Sequence, residues 1–246
     1  MEKLNYIAEK ISKDLIAIDM GKSSVLISLP VLYPSGSTVV VSVEAVGENF
    51  FISDMGLGFQ EADMMGATIM FRNSARMISE RVGVGFDEHS IFVSKASRDQ
   101  LIGAIISVAK CSNEATVITA YKLAEKKHSD NTNILYERLI GIFDPNKVHK
   151  HVEYKGASQT KWDVDLVVSD DRNELLFESV SKHHSSLAHT VMKFSDISRL
   201  EFPPRRIAVV KDKKEFGTTL DVLSSTGDVI EARISDEKIK QMAEAA

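Results

Sequence analysis

Apolar residues recur at Leu4, Ile7, Ile11 and Leu15 with lysine and glutamate between them, a spacing that predicts an amphipathic helix over 3–19 ending at Gly21. The period then shortens. SVLISLPVLYPSG, STVVVSVEAVG and NFFISDMG are β-branched and aromatic runs punctuated by Pro, Gly, Ser and Asn, the pattern of short strands. Pro34 to Ser37 and Gly47 to Asn49 read as tight turns, so residues 24–53 are expected to form a three-stranded antiparallel meander. Helical spacing returns over 58–64 and 69–82, with Met64, Met65 and Met70 expected in a helical core. One more strand is expected at 90–94. A long helical stretch over 97–127 is expected to break near Cys111, Ser112 and Asn113.

The polar segment KKHSDNTN (126–133) contains no apolar residue and reads as a linker, which sets expected domains of 1–128 and 129–246. Beyond it, ILYERLIGIF (134–143) is a short amphipathic helix stopped by Asp144 and Pro145. Strands are expected at 147–155, 160–169 and 174–181, the last two joined by a tight turn at Asp170 to Asn173. A helix over 184–200 carries Leu187, Val191, Phe194 and Ile197 on one stripe. RRIAVVK (205–211) reads as a buried parallel strand, then come a helix at 214–224, a strand at 228–234 and a terminal helix from Asp236. The order from 134 onward is α-β-β-β-α-β, then α-β-α. The fold class is α+β: an N-terminal antiparallel meander with helices, then an αβββαβ core.

Composition narrows the function classes. Thirty Lys and Arg against thirty-five Asp and Glu give a formal charge of −5, which excludes a wholly basic nucleic-acid coat and leaves room for a local basic face. The single cysteine, Cys111, excludes a disulfide framework and a multi-cysteine zinc site, and points to a reducing cytoplasm. The charged start MEKLNYIAEK does not read as a secretory signal. No apolar run approaches the roughly 20 residues of a membrane span.

Two acids fall where the second half of the chain can use them. Asp165 lies within the middle strand of three and Glu178 in the next, and an antiparallel hairpin brings both carboxylates to one end of the sheet. Paired carboxylates suit Mg²⁺, which takes carboxylate, water and phosphate oxygens and can activate water against a phosphodiester. The plainer reading is a pair of solvated or salt-bridged strand-end acids.

Residues 134–210 resemble the PD-(D/E)XK nuclease superfamily, with its αβββαβ core and Asp…(Asp/Glu)-X-Lys signature. Asp165 matches the first acid and Glu178 the second, while Val180 stands at the signature lysine. The resemblance implies a restriction-endonuclease-like core, at most a divalent-metal-dependent nuclease. Its lysine would be supplied by Lys182, two positions further along the strand, or by Lys193 from the next helix. Glu137 would be the additional acid that some members carry. Most of the chain also resembles an uncharacterised two-part family of bacterial and prophage proteins, through LPVLYPSGSTVVVSVEAVGENFFISDMG with its Asp54 to Gly56 turn, WDVDLVV and KFSDISRL. This resemblance implies a role around mobile elements and host defence, with a host or phage protein as partner.

Other features weigh less. Lys147, His149, His151 and Lys155 share one parity of the first C-terminal strand and would form a row along a DNA or RNA backbone, extended by Arg205, Arg206, Lys211, Lys213 and Lys214. Val148, Val152 and Tyr154 share the other parity, which would face the core, with Lys150 as an exception. His183 and His184 read as a helix entry, and Asp54 as turn chemistry that caps the next segment. Two functions of different class remain: a metal-dependent, nucleic-acid-directed nuclease-like protein, and a non-catalytic inhibitor or regulator in phage–host defence.

Overall fold

The computed structural model describes residues 17–20, 24–169 and 173–244. They form an α+β protein with two sheets, and the chain divides into two compact units, Met1–Glu125 and Lys126–Ala246. The helix expected over 3–19 lies mostly outside the described residues, as do Gly21 and residues 170–172 of the expected turn. Where the two overlap, Ala17–Met20 form a strand, β1, paired antiparallel with β2 (Ser24–Leu32) rather than the end of a helix.

In the first unit β3 (Thr38–Val46) and β4 (Asn49–Ser53) complete the antiparallel meander. Its two turns use glycine where the backbone becomes left-handed, at Gly36 (φ +92) and Gly47 (φ +64). β5 (Gly85–Phe86) and β6 (Ile91–Ala96) extend the sheet to the order β1-β2-β3-β4-β6-β5. Val39, Val41 and Val43 alternate along β3 and turn into the core. There they join α1 (Leu57–Met64) and α2 (Thr68–Val82), whose Phe71, Ala75 and Ile78 recur at helical spacing. Met65 packs against this core, whereas Met64, the last residue of the short helix α1, is exposed.

α3 (Leu101–Ile142) is one continuous helix of 42 residues. Both the break expected at 111–113 and the linker expected at 126–133 are helical. No Gly or Pro lies between Gly103 and Gly141 to stop the helix. Polar side chains that compete with a helical backbone elsewhere are committed to other partners here: Ser112 donates to Asp54, and Asn113 donates to the Leu32 carbonyl. By length and composition α3 is also the one helix among the described residues apolar enough to cross a membrane, although 44% of its most apolar stretch is buried inside the protein.

The second unit has a five-stranded sheet of order β11-β10-β9-β8-β7. β7 (Val148–Lys155), β8 (Lys161–Ser169) and β9 (Glu174–Val180) are antiparallel neighbours. α4 (His184–Ile197) then crosses over to β10 (Arg205–Val210), which runs parallel to β9, and β11 (Asp228–Glu231) runs parallel to β10. α5 (Thr219–Ser224) and α6 (Asp236–Glu244) complete the unit. One face of the sheet packs Leu166, Phe177, Ile207 and Val209 against Leu135 and Leu139 of α3 and Ile239 of α6. The other packs Val167, Leu176, Ala208 and Val210 against Phe194 and Ile197 of α4. The sheet is a middle layer between helices, and the candidate site lies within it.

Candidate functional site

The alternation of side chains along β8 slips at Asp165. Trp162 and Val164 pack toward α4, but Leu166 and Val168 pack toward α3, although all four share one parity. β7 slips at the same level. Val148 sits with the α3 cluster while Val152 and Tyr154 sit with the α4 cluster, so the single core-facing row expected from parity is split between two faces. At this level of β7 His151, between the pairs Lys150↔Leu166 and Val152↔Val164, has a left-handed backbone (φ +51), which breaks the regular alternation of that strand.

On the other side of β8 the ladder to β9 ends at Leu166↔Phe177. Beyond that rung the two strands fork, and the carboxylates occupy the fork. The Asp165 N–H donates to Glu178 Oε1 at 3.1 Å, and the Ser179 N–H donates to Asp165 Oδ2 at 2.8 Å. Each acid thus satisfies a backbone donor that the interrupted ladder leaves over.

A base approaches from each helical layer. Lys193 lies on the buried stripe of α4 with Thr190, Phe194 and Ile197, and its Nζ donates to Glu178 Oε1 at 2.6 Å and to the Asp163 carbonyl. From α3, His128 places Nε2 at 3.2 Å from Asp165 Oδ1. Asp165, Glu178 and Lys193 are only 5%, 4% and 2% exposed, whereas the His128 side chain is 43% exposed. Burial and the nearby Asp165 charge push the Glu178 carboxyl up to about 7, with Lys193 opposing them. Burial also works against ionisation of Asp165, but the His128 hydrogen bond and charge, the Ser179 N–H and Lys193 hold it below its usual value. The hydrogen bond to Asp165 raises His128. The cluster therefore keeps one carboxylate charged and leaves its neighbour close to titration, an arrangement concentrated at functional sites.

The remaining sequence candidates lie elsewhere. Lys182 is exposed and reaches Glu215 at 3.7 Å, outside the cluster. Val180, at the signature position, is an apolar core residue buried among Phe194, Ala208 and Val210. Glu137 is exposed on α3. His183 precedes α4 and His184 opens it, as a helix entry would have them. In the basic row His149, His151 and Lys155 are exposed on the edge strand and Lys147 is half-buried. Acids interrupt this row: His151 lies 3.3 Å from Asp163, and Glu153 pairs with Lys161 at 2.7 Å. Lys150 packs over the Tyr136 ring at 3.8 Å. Arg205 is tied to Asp228 and Arg206 to the Thr226 carbonyl, so neither extends the row. His128 is the site residue that sequence reasoning missed. Its signal was the helical spacing His128, Thr132, Leu135, Leu139, concealed by reading 126–133 as a linker.

Asp54 has a different role. It is fully buried and accepts from the Gly56 N–H (3.0 Å), the Ile91 N–H (2.8 Å) and Ser112 Oγ (2.6 Å), with Tyr33 bonded to the same serine at 2.7 Å. This ties the start of α1 to β6 and α3, which is turn chemistry with longer reach than expected.

The donor set at Asp165 and Glu178 suits Mg²⁺, which needs only one or two carboxylates with water and phosphate oxygens completing its shell. Among the described residues no group of three or more His, Cys, Asp or Glu side chains is placed to hold a metal, so a closed zinc-type centre does not fit. Compared with known proteins, the chain matches no family model, no curated protein and no solved structure.

Proposed function

We propose that the second unit is a PD-(D/E)XK-related nuclease domain that cleaves a phosphodiester of DNA or RNA, with Asp165 and Glu178 as the paired acids and Lys193 replacing the lysine missing at Val180. The observation that carries this reading is the Lys193 ammonium on Glu178 Oε1 at 2.6 Å, in the same fork as Asp165. Asp165 and Glu178 would hold Mg²⁺, which when bound supplies an activated water and neutralises charge developing on phosphate. Lys193, bonded to Glu178, would orient the attacking water or stabilise the extra charge on phosphorus. His149, His151 and Lys155 on the edge strand offer contacts to the nucleic-acid backbone. The first unit would select substrate or partner, and the setting would be the cytoplasm, around prophages and host defence.

The test is cleavage of single- and double-stranded DNA and RNA by the full chain with Mg²⁺ or Mn²⁺. Asp165→Ala, Glu178→Ala and Lys193→Met should each lower the rate by about 100-fold or more while circular dichroism shows a folded protein. Cleavage unaffected in all three variants would show that this site is not the source.

A second reading has its own observation. Three of the four carboxylate oxygens already accept internal N–H donors, and both acids are almost fully buried. That arrangement also suits a non-catalytic protein that binds and inhibits a host or phage protein. Capture of a defined partner that survives both Asp165→Ala and chelation would favour it.

A further inference from the structure

We propose that His128 is a positioning residue that holds Asp165 until a divalent cation takes its place, a built-in stand-in for the metal; this rests on the nuclease reading above. Asp165 is held at two points of unequal permanence. Oδ2 accepts the Ser179 backbone N–H at 2.8 Å, within the sheet, and that bond does not depend on a side chain. Oδ1 is held at 3.2 Å by an imidazole that is 43% exposed.

Lys193, by contrast, is 2% exposed and anchored twice, to Glu178 and to the Asp163 carbonyl. Of the two bases at the cluster, only His128 can leave without abandoning a buried charge, because its ring can turn into water. An N–H pointing at Oδ1 and a cation bound to Oδ1 compete for the same lone pairs. Departure of His128 frees Oδ1, while Ser179 keeps the carboxylate aimed. The cation therefore reaches Asp165 past the half-exposed His128 and not past the buried Lys193.

The experiment measures Mn²⁺ binding to the full chain by loss of the free-ion paramagnetic resonance signal. In parallel, the His128 ring resonances are monitored while Mg²⁺ is added. His128→Ala should bind Mn²⁺ about tenfold more tightly than the unmodified protein, the change expected when one charge-assisted competitor is removed. His128→Gln, which keeps an N–H donor without the ring, should fall between the two. Mg²⁺ should move the His128 resonances toward those of a free histidine. Asp165→Asn should abolish the tight site. Unchanged or weaker binding in His128→Ala, where the unmodified protein binds, overturns the stand-in role alone and, if weaker, makes His128 a ligand. Absence of Mn²⁺ binding in all forms, or binding untouched by Asp165→Asn, overturns the metal reading together with this one.

Discussion

Two aspartates, one just past the end of β4 and one midway along β8, are both buried, and they have opposite surroundings. Asp54 is alone among neutral donors: two backbone N–H groups and a serine hydroxyl. Burial raises its pKa, and it needs no counter-charge to stay in place. Asp165 shares its fork with a second acid, and two bases are brought in from different helices to offset them. A buried carboxylate with neutral donors serves the fold. Two acids brought together, with a lysine and a histidine beside them, add nothing to the fold that neutral donors do not supply more simply, and perturbed acids of this kind are concentrated at functional sites.

Perturbing each cluster breaks or sharpens this contrast. The largest effect is expected from Lys193→Met, which leaves Glu178 buried without its cation and should lower unfolding stability by about 3–5 kcal/mol in urea titration. Combining it with Glu178→Gln should recover most of the loss. Asp54→Ala should cost about 2–3 kcal/mol through orphaned donors, whereas Asp54→Asn should cost about 1 kcal/mol, since an amide can still accept from the two N–H groups. If Asp54→Asn cost as much as Lys193→Met, the contrast would fail. Gly58→Ala should cost about 1–3 kcal/mol: its Cβ would lie 2.5 Å from Ser112 Oγ, inside the Asp54 network, and 3.1 Å from the Phe71 ring.

The smallest effect is one of sign. Asp54 has a raised folded pKa, so its contribution is present below the usual carboxylate value and lost as pH rises through the folded one. Asp165 has a lowered folded pKa, so its contribution is present above the usual value and lost as pH falls through the folded one. In stability measured across acid pH, Asp54→Asn should remove a falling limb and Asp165→Asn a rising one. Limbs of the same sign would erase the distinction.

Much of this was legible in the residues. β-branched runs bounded by glycine turns gave the meander, because alternation and left-handed turns are local properties; Gly36 and Gly47 sit where expected. Asp165 and Glu178 were recognisable as a pair because strand spacing alone places them near one another. The choice between Lys182 and Lys193 was not, since it depends on where β9 ends and how α4 lies on the sheet. His128 was hidden for a related reason. Its helix turn is polar all round, and only continuation of α3 through it gives that turn a facing direction. The slip at His151 and Asp165 was equally hidden, since parity arguments assume a regular strand and one left-handed residue cancels them.

The fork between β8 and β9 has a price in the sheet itself. The two carboxylates act as a wedge that keeps neighbouring strands from zipping one rung further, and they do so with charges that water would otherwise solvate. A triple replacement of Asp165, Glu178 and Lys193 by apolar residues of similar volume should close the seam and give a chain as stable as the original or more so. The protein would then be sturdier, with the acids that hold the fork open gone.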